Sequence, residues 1–263
     1  MRLVSHGRRG PAALLMPLLV GALLVVTPAR ARAQGMPGGE KHMTTMDMDR
    51  ESRVFVLADL LEYIPNGTGA VRLDGLSWIG GDFNRLYLRV DGEQPFKGPE
   101  GQTSVDVMYG RLATPFWTAL VGGRVELRGL GSSRRNTRTL LALGFEGMST
   151  YFFAVEPTLY VSEKGQLSGR FATAVDLLFT QRLILEPRAE LNAALQAVPE
   201  LGVGAGLNDI ELGGRLRYEI RREFAPYVGL RWFRKASGAA GLAREAGDRV
   251  SESGLVFGVR LWR

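Results

Sequence analysis

The sequence predicts an all-β fold: a transmembrane antiparallel β-barrel of about 12 strands. Three observations predict it. From Arg53 to Arg263, apolar and polar residues alternate with a period of two. Beyond residue 33 there is no apolar run of about 18 residues, so no membrane-crossing helix is encoded, although the chain opens on an export signal. Short turns and longer glycine-rich or polar connections separate the alternating stretches, as periplasmic turns and extracellular loops do in outer-membrane barrels.

Residues 1–33 read as a signal peptide. Met1 to Arg9 carries Arg2, Arg8 and Arg9 and no acid; Pro11 to Val26 is apolar; Ala31-Arg32-Ala33 supplies the small-residue cleavage pattern, with cleavage before Gln34. The apolar run is shorter than the ~20 residues of a spanning helix, and Pro17 and Gly21 interrupt it. Residues 34–52, QGMPGGEKHMTTMDMDRES, have neither helical nor strand period and are expected to form a short, disordered Met/His leader.

The barrel is expected over 53–263, with strands near 53–63, 70–80, 82–92, 103–113, 116–128, 137–147, 151–162, 166–179, 182–195, 208–221, 224–235 and 251–262. The clearest alternation runs from Ile210 to Arg221. One face holds Ile210, Leu212, Gly214, Leu216, Tyr218 and Ile220; the other holds Glu211, Gly213, Arg215, Arg217, Glu219 and Arg221. Pro187 weakens its strand because it cannot donate to the ladder. Gly80-Gly81-Asp82, Glu163-Lys164-Gly165 and Arg222-Glu223-Phe224 are short connections; Pro95 to Gly101, Gly129 to Asn136, Val198 to Asn208 and Ala236 to Arg249 are long ones.

A soluble β-sandwich also alternates. These strands are longer than the five or six residues common in soluble sheets. In addition Trp117, Tyr151, Tyr218, Tyr227 and Trp232 fall near strand ends, as interfacial girdle residues do. Assigning the apolar faces to lipid leaves an interior rich in charge: Glu126, Glu146, Glu156, Arg170, Asp176, Glu186, Arg188, Glu190, Glu211, Arg215, Arg217, Glu219 and Arg231. Opposite charges there can pair across strands and stiffen the wall, or a subset can line a cation route.

The formal charge of +6 does not imply a nucleic-acid partner. Residues 1–33 hold five arginines and no acid, which leaves 28 basic and 27 acidic residues, a net charge of +1. The absence of cysteine excludes disulfides, thiolate metal sites and cysteine nucleophiles.

The chemistry-bearing segment is 34–52. It contains Met36, Met43, Met46 and Met48, four of the six methionines after residue 33, and His42, the only histidine after residue 33. Thioethers select Cu(I) and imidazole suits copper in either oxidation state, while Asp47 and Asp49 offer oxygen to Cu(II). The opposing interpretation is adaptable methionine packing against a partner, without metal. In the barrel, Met108 and Met148 fall on the inward phase and are further ligand candidates, although packing explains them as well. A serine–histidine catalytic pair in the wall is impossible, since His42 lies in the leader, so no enzyme is expected. Gly202-Val-Gly204-Ala-Gly206 lacks the full phosphate-cradling pattern.

Several longer stretches resemble a known family. They are Trp78-Ile-Gly-Gly-Asp-Phe-Asn-Arg-Leu-Tyr-Leu, Tyr109-Gly-Arg with Pro115-Phe-Trp, and Gly147 followed by Tyr151-Phe-Phe-Ala-Val-Glu. Thr180-Gln-Arg-Leu-Ile-Leu-Glu-Pro-Arg, Pro199-Glu-Leu-Gly-Val-Gly and Glu211-Leu-Gly-Gly-Arg-Leu-Arg-Tyr-Glu-Ile-Arg-Arg-Glu-Phe-Ala-Pro-Tyr-Val-Gly complete the set. Over about Phe55 to the C-terminus the chain is similar to the outer-membrane copper-resistance protein B family. The resemblance implies an outer-membrane barrel in contact with lipid, copper as the ion handled, and a role in copper tolerance beside periplasmic copper proteins. The family often carries a longer leader, richer in methionine and histidine, and usually ends in an aromatic residue, whereas this chain ends Trp262-Arg263.

The sequence-level expectation is therefore a copper-binding outer-membrane barrel whose leader collects copper and whose barrel holds it or passes it on. The rival from another class is a general small-solute pore, and a third reading is a copper store without transport.

Overall fold

The computed structural model describes residues 52–66, 69–96, 101–129 and 136–263. Twelve strands form one closed antiparallel ring: β1 (Arg53–Ile64), β2 (Ala70–Gly80), β3 (Asn84–Pro95), β4 (Gln102–Thr114), β5 (Trp117–Arg128), β6 (Asn136–Met148), β7 (Ala154–Ser162), β8 (Leu167–Ala174), β9 (Leu183–Ala194), β10 (Gly206–Tyr218), β11 (Phe224–Lys235) and β12 (Ser251–Trp262). The two-residue stretch Leu177–Leu178 is a broken continuation of β8, pairing only with Leu185 and Ile184 of β9. Each strand pairs with its sequence neighbours, and β12 pairs back onto β1 from Tyr63↔Phe257 to Leu57↔Trp262. Arg263 extends that seam, its N–H donating to the Val56 carbonyl (2.8 Å) and its carbonyl accepting from Val56 (2.9 Å). Closure leaves no unpaired edge, the condition for crossing a bilayer with strands.

Both chain ends of the barrel lie at one rim, because β1 starts and β12 finishes there. The connections at that rim are 81–83, 115–116, 149–153, 175–182 and 219–223, while the opposite rim carries the longer 195–205 and 236–250. Phe83, Phe116, Tyr151, Phe152, Phe179 and Trp262 are all exposed at the short-turn rim; of the aromatics expected in a girdle, Tyr151 and Tyr218 are exposed there, while Trp117 and Trp232 are half-buried. Tyr227, placed with that girdle on sequence grounds, is instead luminal and 7% exposed, because its strand phase turns it inward.

Two irregularities matter for the interior. Asp59 is an extra residue between the pairs Ala58↔Gly75 and Leu60↔Asp74, a bulge that reverses the strand phase. Asp59 and Glu62, three positions apart, therefore both reach luminal partners. The second is the break in β8. It falls opposite Pro187, whose carbonyl accepts from the Val175 N–H (3.2 Å) but which has no N–H to return. The long connection 236–250 is not all loop: α1 (Ser237–Glu245) packs through Ala239, Ala240 and Ala243.

Candidate functional site: the lumen

The inward phase of nearly every strand carries charge, and the charges meet in pairs. Arg215 of β10 donates to both carboxylate oxygens of Glu62 on β1, at 2.6 and 3.2 Å. Arg188 of β9 bridges Asp59 of β1 and Asp74 of β2, each at 2.7 Å. Arg260 reaches Asp59 at 3.0 Å and Glu186 at 3.8 Å. Arg217 holds Asp176 (2.5 Å) and also pairs with Glu186. Arg72 of β2 pairs with Glu211 of β10, and Arg231 of β11 lies 2.9 Å from that carboxylate and 3.0 Å from Glu93 on β3. Arg170 pairs with Glu190 at 2.8 Å and Arg124 with Asp106 at 2.6 Å. Arg89 lies between Glu146 (2.6 Å) and Glu156 (3.3 Å).

Several of these pairs join strands that are not neighbours in the ring, so they span the lumen instead of decorating the wall. Glu62 and Asp106 are 1% exposed, Arg215 2% and Arg217 4%. Charges so deeply placed are tolerated only when paired and hydrogen-bonded. Between them lie cavities of about 60 and 150 Å³ that share Asp91, Ser104, Arg124 and Arg170 in their walls.

One side of the lumen is apolar. Tyr87 of β3, Met108 of β4, Leu120 of β5, Leu140 and Ala142 of β6 and Tyr160 of β7 pack into a buried cluster, with Leu76 and Trp78 against it. Arg124 lies 4.2 Å from the Tyr160 ring centroid, joining the apolar side to the charged one. Gly122 is needed there: a Cβ would stand 2.6 Å from the Met108 Cα.

Of the interior charges expected from sequence, all but Glu219 enter the network of ion pairs. Glu219 lies past the end of β10, which stops at Tyr218, so its alternation does not apply. Sequence reasoning did not single out Asp59, Glu62, Arg72, Asp74, Arg89, Asp106 or Arg124. The available signal was a charge isolated within an otherwise apolar strand, as Asp59 is in Val-Leu-Ala-Asp-Leu-Leu.

The copper-ligand candidates separate into two groups. Met36, His42, Met43, Met46, Asp47, Met48 and Asp49 lie outside the described residues. Met108 is fully buried among carbon atoms of the apolar cluster. Met148 is inward by alternation but ends β6 at the short-turn rim, 48% exposed. Among the described residues no group of three or more His, Cys, Asp or Glu has the arrangement to hold a metal ion.

Comparison with known proteins adds the following. The family profile described as Copper resistance protein B precursor (CopB) matches residues 52–263. The chain is 36% identical over 215 residues to Copper resistance protein B of Escherichia coli, covering 81% of this chain and 71% of that one. It is 37% identical over 209 residues to a Copper resistance protein B homolog of Pseudomonas syringae pv. tomato (strain ATCC BAA-871 / DC3000), covering 79% and 69%. A solved structure titled as the NanC porin in a rhombohedral crystal form aligns with a TM-score of 0.49 at 14% identity, over 80% of this chain and 99% of that one.

Proposed function

This chain belongs to the copper resistance protein B family, and we propose that it is an exported outer-membrane barrel that sequesters copper at its periplasmic rim, through the leader rather than through an open pore. The observation that carries this reading is the segregation of donor types. Soft thioethers and the sole imidazole after residue 33 are concentrated in 34–52, while the lumen offers hard carboxylates already committed to arginines. The leader enters β1 at the short-turn rim, which is the periplasmic side of a bacterial barrel. His42, Met43, Met46 and Met48 surround copper there, with Met36 as a further thioether and Asp47 and Asp49 as oxygen donors to the oxidised ion.

The signal peptide 1–33 directs export, the aromatic girdle meets the lipid interface, and periplasmic copper proteins exchange the ion with the leader. A general solute pore finds little support in a lumen crossed by ion pairs. Movement of copper through the barrel would require those pairs to rearrange.

Copper titration of the processed protein against a Met43→Leu/Met46→Leu/Met48→Leu variant tests the leader site. The expected result is loss of at least one equivalent of copper with the barrel still folded. Unaltered stoichiometry and affinity would sink it. In liposomes the same protein is expected to bind copper without passing it, and ion conductance indifferent to copper would favour the pore.

A further inference from the structure

Three luminal charges stand outside the ion-pair network among the described residues, and two of them face the same chamber. Every other luminal arginine has a carboxylate within 4.0 Å, save Arg85 at the short-turn rim, which donates to the Gly81 carbonyl and lies 4.1 Å from the Trp78 ring centroid. Arg128, at the end of β5, has no such carboxylate among the described residues; its Nη1 donates to the backbone carbonyl of Leu201. On the acidic side the exception is Asp209 of β10, which accepts from the Asn192 amide at 2.8 Å and has no basic nitrogen within 4.0 Å among the described residues, its cross-strand neighbour Lys235 pairing with Asp248 at 3.9 Å.

Both line the larger cavity, about 150 Å³, which also receives Gln102, Ser104, Ser168 and Asn208. A strap roofs it. Residues 195–205 run from β9 to β10 and fold back on themselves through the Val198–Val203 bridge, with Val203 facing the cavity. The Arg128 contact ties the strap to the far wall. Gly204 presses against α1 so closely that a Cβ would sit 2.2 Å from the Ala239 nitrogen, and its N–H donates to Asn208 Oδ1 at 2.7 Å.

We propose that this roofed chamber is a binding site for a small zwitterion of the free α-amino acid type, its carboxylate on Arg128 and its ammonium on Asp209. Both groups are half-buried, neither has an opposite charge within 4.0 Å among the described residues, and they face one cavity, so a ligand that brings both counter-charges gains at each. A simple anion would leave Asp209 unmatched. A simple cation would find only Asp209 uncommitted, since Asp91, Glu126 and Glu190 in the same walls already face arginines, and it would leave Arg128 unmatched. A molecule bearing both charges satisfies both, while the neutral amides and hydroxyls take its remaining polar groups. The roof and the volume restrict it to a small side chain.

The proposal is independent of where copper binds, and isothermal titration of the full-length, detergent-folded barrel with glycine, L-serine, acetate and ethylammonium tests it. Saturable binding is expected for the amino acids, with neither half-molecule binding measurably. Asp209→Asn is the decisive variant because Asp209 does not touch the strap: affinity is expected to fall tenfold or more while the circular-dichroism melt stays that of the folded barrel. Arg128→Gln should weaken binding at least as much. The proposal is overturned if neither amino acid gives saturable heat, if acetate alone fills the site as well, or if Asp209→Asn keeps the affinity.

Discussion

The lumen has two sides, held by opposite physics. Along β3 to β7, Tyr87, Met108, Leu120, Leu140 and Tyr160 pack as a soluble protein's core does, beside the Arg89 and Arg124 pairs. Along β9 to β12 and across to β1 and β2, arginines and carboxylates fill the interior instead. The apolar side gains from the removal of carbon from water and depends on volume. The charged side gains little net free energy from each pair, since desolvation offsets most of the attraction, but it fails badly when one partner is lost. The same barrel therefore answers to size on one side and to charge balance on the other.

The largest effect should come from breaking one buried pair. Glu62→Ala strands Arg215 and is expected to cost about 3–5 kcal/mol, read from urea unfolding followed by the heat-dependent gel shift of the barrel. Glu62→Leu with Arg215→Met should recover most of that loss. If the double variant proves as unstable as the single, the charged side is held by net attraction and the contrast above is wrong.

On the apolar side, Leu140→Ala is expected to cost about 2–5 kcal/mol in the same measurement, with no dependence on ionic strength. A strong salt dependence would mean that the cluster only supports the neighbouring Arg124 pair. Met108→Leu keeps the volume and should cost less than about 1.5 kcal/mol. Unchanged copper stoichiometry in that variant would assign Met108 to packing, and a lost equivalent would make it a ligand. The smallest effect belongs outside the lumen: Arg53 and Asp82 pair at 3.4 Å with both side chains well exposed, so Arg53→Ala should cost under about 1 kcal/mol.

Strand phase was legible because alternation is a local property, and a charged face such as Glu211, Arg215 and Arg217 cannot be placed against lipid. The cross-lumen partners were not legible. Arg188 meets Asp59 and Asp74 only because the ring closes, and no spacing along the chain encodes the distance across it. The helix in 236–250 escaped notice for a different reason: its glycines and alanines read as a loop until β10 and the strap give its small face something to pack on. Met148 shows where alternation stops being informative, since a strand's last residue has the phase but not the enclosure. The odd charges Arg128 and Asp209 were equally invisible, because being without a partner is a statement about three dimensions.

The bulge at Asp59 also sets the tolerance of the seam to changes in length. Removing Asp59 itself would restore a regular two-residue repeat and leave Leu57 and Glu62 facing as they do now. Removing any one residue between Leu60 and Glu62 would leave the bulge and turn one flank of β1 inside out. An insertion in the same place would have the same effect. The strand that closes the ring should therefore keep its register on that one shortening, at the cost of the Arg188 and Arg260 pairs, and lose its register on the others.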